Sequence, residues 1–424
     1  MNLISTSFVL TVVFASTPLL AESVLSHEEI IDIAWDSDIK PALLKRFPQA
    51  SPEELKKAHA FAYGGSVVDD VGYYPLSNQK FTNLLHYVRT GDFVATILRD
   101  SRDLDEYAFA LGVLSHYVTD FLGHHAINEA VPVEYPNLRA VYGPRVTYED
   151  NHNAHLRTEF SFDVLEVAKH RYNAAQYHDF IGFQVSEDLL ERAFADTYGA
   201  SLDDLLHFDD LTLATFRFSV SKVIPEMTQV AIATHKPAQV MERSDKAKQE
   251  FVYHISRADY EKEFGSKYRR PGIFARILGF FLRLIPFGPA RVLGYRNPTP
   301  ETEDMFFRSM DRVITQYHEF VSQVNGGDLR FPNLNLDTGA PARPGEYALA
   351  DRTYADLLRR LAHKRFANVT PELRANLLDF FDTGVQPPPS IKAGDWKKIQ
   401  GALTELKATS ASTSTGESSH DSHH

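Results

Sequence analysis

The chain has 424 residues, and 44 Lys and Arg against 56 Asp and Glu leave a formal net charge of −12. That is two to three domains' worth of chain at roughly 150 residues each, enough to bury a core without staples, and its acidic balance excludes a generic nucleic-acid binder with a basic face. The absence of cysteine excludes disulfides, thiolate zinc sites and a cysteine nucleophile, so any metal must be held by nitrogen and oxygen, with 18 histidines to draw on.

In chain order, the first expected feature is a signal peptide over residues 1–21. Residues 3–15 are almost unbroken in apolar and small side chains, Ala21 is a small residue suited to cleavage, and charges begin at Glu22. The n-region has no Lys or Arg, which leaves a buried N-terminal helix as the alternative. Export of a cysteine-free chain points to a secreted or periplasmic protein of a bacterial cell envelope.

From residue 26 to about 235 the apolar residues recur at three- and four-residue spacing, as in 105–118, 156–168, 187–196 and 211–224. His27 begins an amphipathic helix that runs through Glu28 and Ile31 to Trp35, and residues 132–147, rich in Pro, Tyr and Gly, read as a loop. The expected architecture is all-α: a multi-helix bundle over 22–238 followed by a mainly helical region of unassigned role over 239–407. In that second region, 236–267 is charged surface helix or connection, and helices are expected at 301–324, 347–381 and 395–407. Breaks fall at 325–327, 331–345 and the prolines 387–389. Residues 272–293 carry Phe274, Ile277, Leu278, Phe281 and Ile285 at helical spacing beside Arg276 and Arg283. They suit either a core helix or a basic helix lying on lipid; two prolines and the arginines argue against a membrane span. Residues 408–424 are a Ser/Thr-rich tail expected to be disordered, with His420, His423 and His424 solvated. Asp203, Asp204, Asp209 and Asp210 around His207 read as helix caps. His235, His254, His318 and His363 stand isolated, as structural or exposed side chains.

Three local patterns carry chemistry. Residues at i, i+4 and i+8 of a helix drift by only about 40° per step, so His116, Asp120 and His124 share one face. His155 and Glu159 form a second i, i+4 pair, and the segment 65–75 brings Asp69 and Asp70, with His86 sixteen residues beyond Asp70. Residues 108–114, before His116, are apolar nearly all round, so this helix is expected to be buried and its polar stripe needs partners. Zinc favours imidazole nitrogen and carboxylate oxygen, and i, i+4 spacing lets two ligands from one helix meet on one ion. Facing helices of a bundle are a usual place for such clusters.

Together these residues resemble the zinc-dependent phospholipases C of bacteria and their relatives, the fungal zinc-dependent single-strand nucleases. The run 110–120, ending in His116-x3-Asp120, is similar to that family's central helix. Residues 63–70 resemble its Gly-x3-Pro-Asp segment, with Asp69 where Pro is usual and Asp70 at the ligand position. His86 matches the next histidine, His155-x3-Glu159 the closing motif and His27 the first helical histidine. The resemblance covers roughly a third of the chain and ends by residue 235. The family's next histidine stands six residues after the aspartate, whereas His124 and His125 stand four and five after; helix geometry favours His124. The best-known members also begin at a Trp whose amine binds zinc, and here the nearest Trp to the expected start at Glu22 is Trp35.

The resemblance implies two or three Zn2+ ions and phosphodiester hydrolysis by a metal-activated water. Asp120 would bridge two ions; Asp70, His86 and His116 would hold one, His124, His155 and Glu159 another, and His27 a third. Asp70 would orient or deprotonate the attacking water. The implied substrate is a phospholipid or membrane surface, with nucleic acid disfavoured. The alternatives are a single-strand nuclease, for which Tyr73, Tyr74, Tyr117 and Phe121 could stack bases, and a non-catalytic metal-stabilised protein that binds lipid or an envelope partner.

Overall fold

A computed structural model describes residues 24–74, 77–168, 183–206, 294–381 and 387–409, with Phe216, Val220, Ile224 and Thr228. The expected signal segment, most of the helix at 211–224, the stretches 236–267 and 272–293, His207, His235, His254 and nearly all of the tail lie outside the described residues. The described chain is mostly helical, with a single two-residue hairpin among the helices.

Helix α1 (Val24–Ala34) starts where Asp163 accepts hydrogen bonds from the backbone N–H of Leu25 and of Ser26. It passes through a π-helical turn (Trp35–Ile39) into α2 (Lys40–Arg46). Helix α3 (Pro52–Val67) begins with Pro52 and a reciprocal Ser51–Glu54 capping box. It ends in a 3-10 turn (Val68–Tyr73) that holds Asp69 and Asp70. Two short helices, α4 (Gln79–Tyr87) and α5 (Thr90–Asp100), lead to the long central α6 (Leu104–Glu134), capped by Asp103. Then come α7 (Pro136–Tyr142), α8 (His152–Ala168) and α9 (Glu187–Tyr198).

The expected loop at 132–147 is corrected: α6 runs through Pro132 to Glu134, and α7 follows at once. A proline cannot donate to the carbonyl four residues back. That carbonyl, of Asn128, is taken instead by the backbone N–H of Val146 at 2.9 Å, so the helix continues without an orphaned acceptor.

Helices α3 and α6 cross in close contact. A methyl group on Gly65 would lie 2.0 Å from the Phe109 carbonyl, and one on Gly112 would lie 2.1 Å from that of Ala62. These glycines let the two backbones touch, which places the end of α3 directly against His116.

Beyond residue 294, α10 (Pro300–Asn325) lies along α6, with Phe162 and Phe306 stacked at 4.5 Å and the Tyr317 hydroxyl donating to the Leu111 carbonyl at 3.0 Å. A hairpin, β1 (Leu334–Asn335) and β2 (Ala340–Pro341), pairs Leu334 with Pro341 and Asn335 with Ala340 in antiparallel register. The helix expected over 347–381 is two helices, α11 (Ala348–His363) and α12 (Pro371–Phe381). Between them Arg365 and Phe366 take left-handed backbone conformations, which end a helix of L-residues, and the Phe366 ring is buried there. Helix α13 (Ala393–Ala408) closes the described chain. One hydrophobic cluster runs through the first helices and through α10 to α13 alike. No helix among the described residues is long and apolar enough to cross a membrane.

Candidate metal centre

The eight residues singled out in the sequence meet in one buried region. Three groups have ligand atoms within 4.8 Å of one another: Asp70, His86 and His116; His27, His116 and Asp120; and His124, His155 and Glu159. Asp120 stands at the middle. Its Oδ2 faces His86 Nε2 at 3.1 Å and His116 Nε2 at 3.2 Å, and its Oδ1 faces His27 Nε2 at 3.3 Å and His124 Nε2 at 4.0 Å. Asp70 Oδ1 lies 3.3 Å from His86 Nε2, and Glu159 Oε1 lies 2.7 Å from His155 Nε2 and 3.3 Å from His124 Nε2.

Five elements supply these side chains, and hydrogen bonds from neighbouring elements pin two of them. Asp163 on α8 fixes the start of α1 and so the position of His27. Thr82 on α4 donates to the Asp69 carbonyl at 2.6 Å and accepts from the N–H of Gly72 at 2.9 Å, which pins the 3-10 turn carrying Asp70. Helix α6 carries His116, Asp120 and His124 on one buried face, and α8 carries His155 and Glu159. His125 turns away: it is about two-fifths exposed and sits 3.7 Å from Glu129.

The ring nitrogens show what the cluster can hold. Nδ1 of His86, His116 and His124 lies 2.8, 2.9 and 3.2 Å from the carbonyls of Thr82, Ser66 and Leu336. A carbonyl only accepts, so each Nδ1 carries the hydrogen, and in a neutral ring the Nε2 lone pair then faces the carboxylates. Two lone pairs at 3.1 to 3.3 Å repel unless a cation lies between them. Among the described residues, both oxygens of Asp120 and of Glu159, and Nε2 of His116 and His155, form no hydrogen bond. Buried carboxylates without hydrogen bonds are costly, and a divalent cation set among imidazole nitrogens and carboxylate oxygens removes that penalty. The donor set is one that suits zinc. Histidines anchored through Nδ1 to carbonyls are oriented as metal ligands are.

Without a metal, protons must do the balancing. Burial alone would depress His116, but the carboxylates of Asp120 and Asp70 outweigh it and push the imidazolium up to about 10. Burial likewise favours a neutral Asp120, and the charges of His116 and His124 outweigh it, holding the carboxyl well below its usual range.

Several polar residues near the cluster were not singled out by the sequence. Asp337, in the hairpin turn, has Oδ1 3.5 Å from His124 Nδ1 and accepts hydrogen bonds from the hydroxyls of Tyr87 and Tyr347. Asn128 donates to the Asp337 carbonyl at 2.7 Å. Asp32, His59 and Tyr63 form a separate buried network under Trp35, whose ring stacks on His59 at 3.8 Å. His318, which looked isolated, sits 2.5 Å from Asp38. No spacing signal links residues so far apart in the chain.

No curated protein and no solved structure matches the chain. Residues 26–207 match the family model described as zinc dependent phospholipase C, a span that contains all eight residues of the cluster. Over that span the chain is similar to the zinc-dependent phospholipase C family.

Proposed function

We propose that the protein is an exported zinc-dependent phosphodiester hydrolase of phospholipase C type, which splits phospholipids into a phosphorylated head group and a diacylglycerol. The observation that carries this reading is the convergence of His27, Asp70, His86, His116, Asp120, His124, His155 and Glu159 around Asp120, with the imidazole Nε2 atoms turned inward. Two or three zinc ions held there would polarise the phosphate oxygens and lower the pKa of a bound water.

In this reading the chain's own side chains divide the labour. Asp70, His86 and His116 would hold one ion, His124, His155 and Glu159 a second, and His27 a third with an oxygen of Asp120. Asp120 joins the three groups. Asp70 orients the attacking water and takes up its proton. Water adds to phosphorus, the bond from phosphorus to the glycerol oxygen breaks, and that oxygen leaves with a proton as the alcohol. Export rests on residues 1–21 and would put the enzyme in the medium or the bacterial cell envelope.

The aromatic residues favour lipid over single-stranded nucleic acid. A nuclease needs exposed rings on which bases stack, but Tyr74 and Tyr117 are buried, the latter with its hydroxyl on the Pro332 carbonyl at 2.7 Å. Tyr73, half-buried 6.3 Å from the His86 ring, and the partly buried Phe121 are what remains of the four candidate base platforms. The deciding experiment counts zinc in the dialysed full-length protein and compares hydrolysis of micellar phosphatidylcholine, a soluble phosphodiester and single-stranded DNA. Two or three bound zinc ions with a preference for lipid are expected. A preference for DNA would make the protein nuclease-like, and zinc without turnover of any substrate would make it a metal-stabilised binding protein.

A further inference from the structure

Granted the zinc reading above, we propose that Asp337 is a positioning residue for the subsite formed by His124, His155 and Glu159, so that the region beyond the family-matched span completes the metal centre. The residues that touch His86 and His116 through Nδ1 lie within the family-matched span: Thr82 one turn before His86, and Ser66 at the end of α3. His124 differs. Its Nδ1 faces the carbonyl of Leu336 at 3.2 Å and the carboxylate of Asp337 at 3.5 Å, both from the hairpin turn some 210 residues away.

That turn is fixed from every side. The Leu336 N–H donates to the His86 carbonyl at 2.9 Å, and Asn128 on α6 donates to the Asp337 carbonyl at 2.7 Å. Gly339 has a left-handed backbone at φ 67°, and a side chain there would lie 2.5 Å from the Phe121 carbonyl, so only glycine lets the turn lie this close to α6. The Asp337 carboxylate is itself almost fully buried, with Oδ2 accepting from the Tyr87 hydroxyl at 2.8 Å and from the Tyr347 hydroxyl. One carboxylate thus ties α4, at the residue after His86, to α11 and to a cluster histidine on α6. A carboxylate beside the outer nitrogen of a ligating histidine fixes the ring and strengthens its donor nitrogen.

The test uses the full chain as wild type, Asp337→Asn, Asp337→Ala and Thr90→Ala, with zinc affinity and stoichiometry read by chelator competition and melting read on the metal-free forms. Thr90 holds the same hairpin through both backbone groups of Leu334 at 2.9 Å. It therefore reports loosening alone. Removing the carboxylate should weaken one zinc ion about 10- to 100-fold and leave the others within about twofold, the scale set by outer partners of metal-binding histidines. Thr90→Ala should lower melting without singling out one ion. Unchanged affinity for every ion in both Asp337 variants, or equal loss of all ions in step with melting, overturns the inference while the zinc reading stands. A wild type that binds no zinc overturns both.

Discussion

Asp120 is the residue on which most of the cluster depends, because its two oxygens face opposite sets of histidines. Oδ2 serves His86 and His116, and Oδ1 serves His27 and His124. Replacement by Asn keeps the shape but removes the charge, and its amide N–H2 points a donor at nitrogens that must themselves donate to a metal. Asp120→Asn should therefore lose at least two zinc ions, along with activity, by more than the roughly 10- to 100-fold of an outer-partner change. Zinc counting and phosphodiester turnover on the same preparation check it, and full activity with zinc retained would sink the assignment. How legible this residue was follows from helix geometry. The i, i+4 spacing puts His116, Asp120 and His124 on one face, and it does the same for His155 and Glu159. No periodicity joins His27, Asp70 and His86 to them: the chain shows Asp70 and His86 as a loose local pattern and His27 as a helix start, and the family resemblance set them beside the rest. Asp337 and Asn128 were invisible because their partnership depends on a chain reversal two hundred residues away.

At the scale of elements, the helical pattern was readable wherever one face is apolar, and it failed where backbone chemistry decides the boundary. Pro132 looked like the end of a helix, yet the Val146 N–H rescues the carbonyl that the proline leaves. The left-handed pair Arg365 and Phe366 splits a stretch whose side-chain pattern runs on. The crossing of α3 and α6 was equally silent, since Gly65 and Gly112 matter only through the helix each one faces. Here a prediction belongs to the element. In Gly112→Val the new Cβ would lie 2.1 Å from the Ala62 carbonyl, so the helices must separate. That moves the Ser66 carbonyl away from His116 Nδ1, which it meets at 2.9 Å. A lower melting temperature and weaker zinc retention are expected together. Gly123→Ala is the matching control on the same helix, because among the described residues nothing lies within 4 Å of its added Cβ. It should leave stability unchanged or raise it by roughly 0.5–1 kcal/mol.

For the whole molecule, the composition restricted any metal to nitrogen and oxygen ligands but said nothing of how the parts of the chain share a site. The sequence suggested a division near residue 238 and the family match ends at residue 207, whereas the described residues of α10 and the hairpin pack on α6 within one hydrophobic cluster. The bundle therefore encloses a set of carboxylates that must be balanced inside one continuous core, by metal or by protons. These two balances have opposite pH dependence. In the metal-free protein the folded pKa of His116 is raised from 6.5 to about 10. Its contribution to stability is then complete below about 6.5 and is lost as the pH rises through about 10. Zinc needs the neutral imidazole, so its affinity grows over the same interval as protons leave. Melting of chelator-treated protein should fall steadily from pH 6 to pH 10, and the gap between the zinc-loaded and metal-free forms should widen with each step. A constant gap across that range would mean that the cluster is not balanced by exchange of protons for metal, and that His116 is not one of its ligands.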